Sequence, residues 1–284
     1  SASASAADND TNEGPRAPKE ICMAETPLLY EKDYARKRAV LTFNRPEVMN
    51  AINPEMGALL GESMADFDRD PGLWVAIITG AGDRAFCAGA DLGRTIPNAT
   101  ASARSDLMAI SEDRPFHGIT KPILAAVNGY CIAGGLETML GTDIRVASET
   151  AEFGLQEVRW GIIPSAGSHV RLPRQIPWAL AMELLLTGQR ISATRAMQFG
   201  LVNRVVPQNE VMAVVQAYAD AICANGPVAV RTAKEIAVRG AMGMSWEHAF
   251  GMESLLARRV FGSEDAIEGP KAFMEKRTPD FKGR

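Results

Sequence analysis

The stretch that most limits what this chain can fold into begins at Ile123. An apolar run, Ile123-Leu124-Ala125-Ala126-Val127, is followed by Asn128-Gly129 and then by Tyr130-Cys131-Ile132-Ala133-Gly134-Gly135-Leu136-Glu137. The run reads as a buried strand. Asn-Gly breaks it with turn chemistry, and the residues from Leu136 to Leu140 read as the first turn of a buried helix. Two glycines at a helix start leave backbone N–H groups open to close approach, and such groups can receive a developing oxyanion. Glu137 falls in that turn among apolar neighbours, where a carboxylate must be paired, solvated or functional. The plainer alternatives are a tight turn for the glycines and a helix-end charge for the glutamate.

The 284 residues suffice for one large or two ordinary domains. Apolar content of 46%, charged content of 23% and a net charge of −4 describe a globular chain. They give no reason to expect a nucleic-acid or anionic-membrane surface as main partner. The four cysteines form no CxxC pair and only three histidines are present, so a zinc cluster is not expected. Small buried thiols of a reducing compartment are expected instead. No apolar run reaches the length of a membrane span. The first 20 residues have neither the basic region nor the apolar core of a secretory signal and are expected to be disordered; the localisation expected is cytoplasmic.

Taken in order, Ala39-Val40-Leu41-Thr42-Phe43 predicts a strand ended by Asn44-Arg45-Pro46. Asn53 is a good N-cap and Pro54 a good first helical residue, with Met56, Leu59, Leu60, Met64 and Phe67 at helical spacing. Val75 to Thr79 predicts a second strand. It runs into Gly80-Ala81-Gly82-Asp83-Arg84-Ala85, a GxGxxA match that resembles a dinucleotide fingerprint. The residues after it do not read as the helix that would hold a pyrophosphate, so a tight turn between strands is the better account. In Phe86-Cys87-Ala88-Gly89-Ala90-Asp91-Leu92, small residues let a ligand or another backbone lie flat against the chain, and Asp91 is placed to cap the next segment.

A polar loop is expected over 95–104 and a helix over about 105–116. Further strands are expected at 143–147 and 152–154. Glu157 then sits among Leu155, Val158 and Trp160. It reads either as a surface partner of Arg159 or Arg171, or as a second carboxylate facing the cavity of Glu137; two such carboxylates make a candidate acid/base pair. The remainder is mostly helical, with a short extended piece at Arg204-Val205-Val206 and N-caps at Ser192 and Ser263. The organisation expected is a core over 21–205 and a helical region over 206–284.

These pieces, in this order, resemble the enoyl-CoA hydratase (crotonase) family. The matching residues are Leu41 to Pro46 with Met49-Asn50-Ala51, Ala85 to Leu92, Lys121 to Glu137, Phe153 to Gly167, Leu186-Thr187-Gly188 with Gly200-Leu201-Val202, and Phe273 to Arg277. The resemblance implies an α/β fold, a spiral of ββα turns with a C-terminal helical trimerisation region, assembled as a homotrimer or a dimer of trimers. It implies an acyl-CoA thioester substrate, with coenzyme A as part of that substrate and no separate cofactor. The N–H groups of Ala90 and Gly134 would form the oxyanion hole. The backbone around Ala51, Ala88, Ala90 and Leu92, with Asp91, would line the CoA groove, and Phe281 and Lys282 would meet the CoA nucleotide, often across a subunit boundary.

Hydratases of the family carry two glutamates, and Glu137 and Glu157 fill both matching positions. Three departures stand out. Gly93-Arg94 replaces a common lysine after Ala90-Asp91-Leu92, with Arg94 the remaining candidate for a phosphate. Ala133 replaces the first glycine of a three-glycine run, which the retained Gly134 should make tolerable. Ser165 replaces a common glycine. The function implied is hydration of 2-enoyl-CoA to 3-hydroxyacyl-CoA. The alternatives are double-bond isomerisation or another acyl-CoA reaction on the same oxyanion hole, and an idle assembly or RNA-binding member, which would want a basic stripe that this chain lacks.

Overall fold

A computed structural model of the chain describes residues 26–91, 114–241 and 243–284. Its strands follow the chain as β1 (Leu28–Asp33), β2 (Arg38–Phe43), β3 (Val75–Gly80), β4 (Ala85–Cys87), β5 (Ile123–Val127), β6 (Tyr130–Ile132), β7 (Ile144–Ser148), β8 (Glu152–Gly154), β9 (Ile191–Ser192) and β10 (Arg204–Val206). The described helices are α1 (Pro54–Arg69), α2 (Gly134–Leu140), α3 (Ser168–Gln175), α4 (Trp178–Thr187), α5 (Ala193–Gln198), α6 (Val211–Cys223), α7 (Pro227–Gly240), α8 (Trp246–Phe261) and α9 (Glu264–Glu275).

The strands form two sheets, one of six in the order β1-β2-β3-β5-β7-β10 and one of four in the order β4-β6-β8-β9. Successive pairs β3/β4, β5/β6 and β7/β8 each give their first strand to the larger sheet and their second to the smaller, so the chain winds as a spiral between two mostly parallel sheets. The expected GxGxxA turn is what joins β3 to β4; no helix follows it directly.

Central strands are mostly apolar because both faces are buried, β5 at every position. Along β5, Ile123, Ala125 and Val127 enter the main core with Phe43, Phe67, Phe86, Leu136 and Phe153. The alternate residues Leu124 and Ala126 enter a second cluster with Val211, Val215 and Ala219 of α6, as the two-residue strand period requires. The helix starts follow the expected capping chemistry. The Asn53 side chain accepts from Met56 N at 2.8 Å, and Ser192 and Ser263 accept from Arg195 N and Ala266 N.

Four elements were not expected from the sequence: β1, β6, β9 and α3. β6 is three residues caught between Asn-Gly and Gly-Gly, too short for periodicity to register. α3 is polar and contains Pro173, against helix propensity. The polar loop at 95–104 and most of the helix expected over 105–116 lie outside the described residues; residues 115 and 116 belong to a turn. Among the described residues no helix is long and apolar enough to cross a membrane.

A tight backbone contact joins α2 to β4. A Cβ on Gly135 would lie 2.2 Å from the Cys87 carbonyl oxygen, so only glycine lets the helix seat there. Gly61, inside α1, has nothing within 4 Å of the same construction. Gly135→Ala should therefore lower stability by about 1–3 kcal/mol. Gly61→Ala should raise it by about 0.5–1 kcal/mol. Urea unfolding of both variants checks the contrast.

Candidate active site

Two buried asparagines clasp the β3–β4 turn. Asn50 Nδ2 donates to the carbonyls of Ala81 and Ala85 at 3.0 and 2.8 Å, while its Oδ1 accepts from Arg45 N at 3.0 Å. Asn128 Nδ2 donates to the carbonyls of Gly80 and Gly82 at 2.9 and 2.8 Å. Buried carbonyls left without such donors would be costly. In the sequence Asn128 stands out only as a turn former, and Asn50 has no role beyond the motif. Both flank glycine-rich or strained backbone, since Met49 and Asn50 have φ of 58° and 56°, and that was the available signal.

This clasp sets the direction of 88–91. Ala88 N donates to the Met49 carbonyl at 3.0 Å, Ile52 N to the Gly89 carbonyl at 2.7 Å, and Asp91 N to the Ile52 carbonyl at 2.9 Å. Ala90 and Ile52 thus form a parallel bridge. In that pattern the bonds of Gly89 and Asp91 face Ile52, so Ala90 turns its own N–H to the opposite side. Gly134 lies close: a Cβ on it would be 3.5 Å from Ala90 N. Neither the Ala90 nor the Gly134 N–H meets a backbone acceptor among the described residues. The structure therefore brings Ala51, Ala88, Ala90, Asp91 and Gly134 together. Asp91 is tied to Arg45, whose Nη1 also donates to the Ala51 carbonyl at 2.7 Å. Leu92 and Arg94 lie outside the described residues.

Ala133 departs from the expectation of easy tolerance. It holds φ 52° and ψ −124° at the start of α2, backbone space that favours glycine. Ser165, by contrast, is exposed and not among the positive-φ residues, the left-handed turn of that loop falling on Gly167 with φ 109°.

α2 also carries Glu137, one turn from Gly134 and 5% exposed. Its Oε1 accepts from Ala166 N at 2.7 Å, Ser168 Oγ at 3.1 Å and Ser168 N at 3.3 Å. Nothing in the sequence singles out Ser168 or Ala166; only the start of α3, itself unexpected, would have pointed to them.

Glu157 opens a short 3-10 turn, Glu157–Trp160, and is 9% exposed. Its Oε2 is buried and meets no donor among the described residues. Burial pushes its carboxyl up to about 7 against the pull of its own backbone N–H, and the nearby Glu137 charge adds to the push. Among the described residues Glu157 forms no ion pair with Arg159 or Arg171, so the surface-partner reading fails. The two carboxylates are buried, electrostatically coupled and differently solvated, an arrangement that separates a proton carrier from an ionised partner.

Phe281 and Lys282 sit elsewhere. The Phe281 ring packs against Gly226 and Gly269, and Lys282 N donates to Asp265 Oδ1 at 2.7 Å. No hydrogen bond or ion pair among the described residues links them to the Ala90–Gly134 backbone.

Residues 36–284 match the model of the enoyl-CoA hydratase/isomerase family. The chain belongs to that family. It is 42% identical over 252 residues to an enoyl-CoA hydratase of Mycobacterium tuberculosis, covering 86% of this chain and 93% of that one. It is 41% identical over 245 residues to the (E)-benzylidenesuccinyl-CoA hydratase of Thauera aromatica, covering 86% and 95%. A crystal structure of an enoyl-CoA hydratase from Mycobacterium tuberculosis superposes with a TM-score of 0.81 at 39% identity, over 92% of this chain and all of that one. The α/β spiral and the C-terminal helices are thus those of this enoyl-CoA hydratase/isomerase family.

Within this family member, Ala133 is the most strained point of the site. Replacing it by glycine should raise stability by about 1 kcal/mol, the relieved backbone strain exceeding the added chain entropy. An ordinary Ala→Gly change in a helix lowers it. Thermal and urea midpoints of Ala133→Gly give the sign.

Proposed function

We propose that this chain hydrates the double bond of 2-enoyl-CoA thioesters, giving 3-hydroxyacyl-CoA. The observation that carries the reading is the burial of Glu137, on the helix that also presents the Gly134 amide, together with that of Glu157, twenty positions on in its own turn and near enough for the Glu137 charge to act on its carboxyl.

In this mechanism the thioester oxygen lies against the N–H groups of Ala90 and Gly134. They stabilise the enolate that forms as the β-carbon is attacked; one such donor is typically worth about 10²–10³ in rate. Glu137, held in place by Ala166 and Ser168, orients the water and takes one of its protons as the C–O bond forms. Glu157 gives its proton to the α-carbon. The pair begins and ends with a single proton, so the net reaction adds only water. The family's CoA groove falls to the backbone at Ala51, Ala88 and Leu92 with Asp91 and Arg94. Phe281 and Lys282 act at the CoA nucleotide of a neighbouring subunit.

The same reading has the chain assembling as a homotrimer or a dimer of trimers in the cytoplasm. What supports assembly is the large apolar side chains left open on the last helices: Trp246, Phe250, Phe261, Phe273 and Met274 are 56–80% exposed. Analytical ultracentrifugation should give three or six chains, and a monomer would remove this part of the reading.

Glu137→Gln and Glu157→Gln should each lose about 10²–10⁴ in turnover of crotonyl-CoA while keeping the wild-type melting temperature. A Glu157→Gln enzyme that still isomerises 3-enoyl-CoA but does not hydrate would favour the isomerase alternative.

The pH profile has a fixed sign. The Glu157 carboxyl, raised to about 7, keeps its proton below that pH and loses it above. kcat/KM for hydration should therefore fall on the alkaline side with an apparent pKa near 7, a value belonging to the pair. No net proton is consumed, so the overall equilibrium is independent of pH and dehydration must follow the same limb. An acid-side limb alone, in either direction, would refute the assignment.

A further inference from the structure

We propose that Ser168 is a positioning residue for hydration: its hydroxyl fills Glu137 Oε1 and so leaves Oε2 as the one oxygen of that carboxylate that handles the water. The inference rests on the two-glutamate reading above and adds to it which atom reacts and what selects that atom.

Ser168 opens α3, where a serine would ordinarily cap the helix. Here the N-cap position is Gly167, and no side chain caps this helix end. Ser168 is fully buried, and a buried hydroxyl needs a partner. Its partner is Glu137: Ser168 Oγ donates to Oε1 at 3.1 Å. The same oxygen accepts from Ser168 N at 3.3 Å and from Ala166 N at 2.7 Å. Gly167, between the two amides, holds φ 109°, a left-handed turn that brings the N–H groups on either side to one point.

α3 is tied to α2 at its other end as well. Gln175, its last residue, donates from Nε2 to the Leu140 carbonyl at 3.0 Å, and its Oε1 accepts from Arg145 Nη2 at 2.9 Å. Arg145 Nη2 also donates to the Leu140 carbonyl at 3.2 Å. Leu140 ends α2, the helix that carries Glu137. Two helices pinned to each other at both ends fix the hydroxyl relative to the carboxylate more closely than either contact alone.

A carboxylate oxygen offers about two acceptor sites. Three donors leave Oε1 no capacity for a water. Among the described residues Oε2 accepts from nothing, so orienting the water falls to Oε2. The hydroxyl is the one donor of the three that a side-chain substitution removes. Without it Oε1 regains a site, and the water gains a second place to sit. Only one of the two places is aligned with the β-carbon. A misplacement on the order of 1 Å costs about 10²-fold in rate, and a water shared between two oxygens loses part of that. The balance of the step is unchanged: one water proton goes to Glu137, the hydroxide to the β-carbon, and the Glu157 proton to the α-carbon.

The effect is confined to water addition. Exchange of an α-proton on a saturated thioester uses the Ala90 and Gly134 amides and Glu157, which takes the proton, trades it with solvent and returns a deuteron in D2O. It uses no water on Glu137.

Ser168→Ala removes the hydroxyl and keeps both amides. It should lower kcat for crotonyl-CoA hydration by about tenfold, with KM and melting temperature little changed. Exchange of the butyryl-CoA α-protons in D2O should proceed at the wild-type rate. Hydration at the wild-type rate would overturn the proposal. So would hydration and exchange falling together, the mark of a serine that only holds the fold. Should Ser168→Ala fail to fold, a crystal structure of the wild-type enzyme with butyryl-CoA decides: a water must sit on Glu137 Oε2, and any other placement overturns the assignment. If Glu137→Gln and Glu157→Gln both hydrate crotonyl-CoA normally, the parent reading falls. If both are inactive while Ser168→Ala hydrates at the wild-type rate, this inference alone fails.

Discussion

The contact on which the rest of this structure depends is the seating of the α2 N-terminus against the end of β4, backbone to backbone. Three glycines make it possible, and each has a different neighbour. Gly135 stands against the Cys87 carbonyl, Gly89 against Ala133 and Gly134, and Gly134 beside the Ala90 amide. Gly89 adds a φ of 100° that side chains rarely adopt. A methyl at 135 or 89 would push helix and strand apart, and the two amides that face a common point would separate with them. The asparagine clasp on the β3–β4 turn works toward the same end from the other side, by fixing where the strand after the turn must go. Catalytic geometry here is a property of main-chain packing, and the side chains nearby serve mainly to hold it.

The acid/base pair obeys a different logic, one of unequal solvation. Both glutamates are buried, yet one oxygen of Glu137 receives three donors while Glu157 Oε2 receives none. Burial without a donor favours the neutral acid, and burial is what pushes the Glu157 carboxyl up to about 7. Two chemically identical side chains thus meet different surroundings. The donors to Glu137 come from a loop and from the first residue of α3, elements that have no apolar stripe and so leave little trace in the sequence.

That difference explains which parts are legible in the sequence. β3, β5 and β7 announce themselves because strands buried on both faces are mostly apolar, Thr79 on β3 and Arg145 and Ser148 on β7 aside. α1 does so because Asn53, Pro54 and the Met56–Phe67 spacing agree with one another. Glu137 and Glu157 are legible as carboxylates out of place, and the match to the family order makes them a pair. β6 and β9 are not, being too short to show a period, nor is α3, whose Pro173 and polar face argue against a helix until Gly167 and Ser168 are seen to start one. Ala133 reads as a harmless replacement. Only its dihedral angles reveal that the alanine occupies glycine space. The charge of Arg171 is visible in the sequence, but as a candidate surface partner for Glu157. In the structure it donates to the Pro115 carbonyl from α3, a helix that the sequence does not advertise.

The spiral keeps these two systems on separate stretches of chain. The amides proposed for the oxyanion hole come from 88–90 and the first turn of α2, while the carboxylates proposed for proton transfer come from 157 and the middle of α2. Substitutions in the second stretch can change what is done with an enolate without disturbing how it is held, since the clasped turn and the glycine contacts do not pass through it. Glu137 is the joint between the two, three residues from the Gly134 amide and bonded to Ser168. A scaffold divided in this way allows the reaction to diverge by local changes around one buried carboxylate. On the proposed reading the packing of β4 on α2 serves either reaction of the hydratase/isomerase family, and the surroundings of Glu157 are where the two reactions would part.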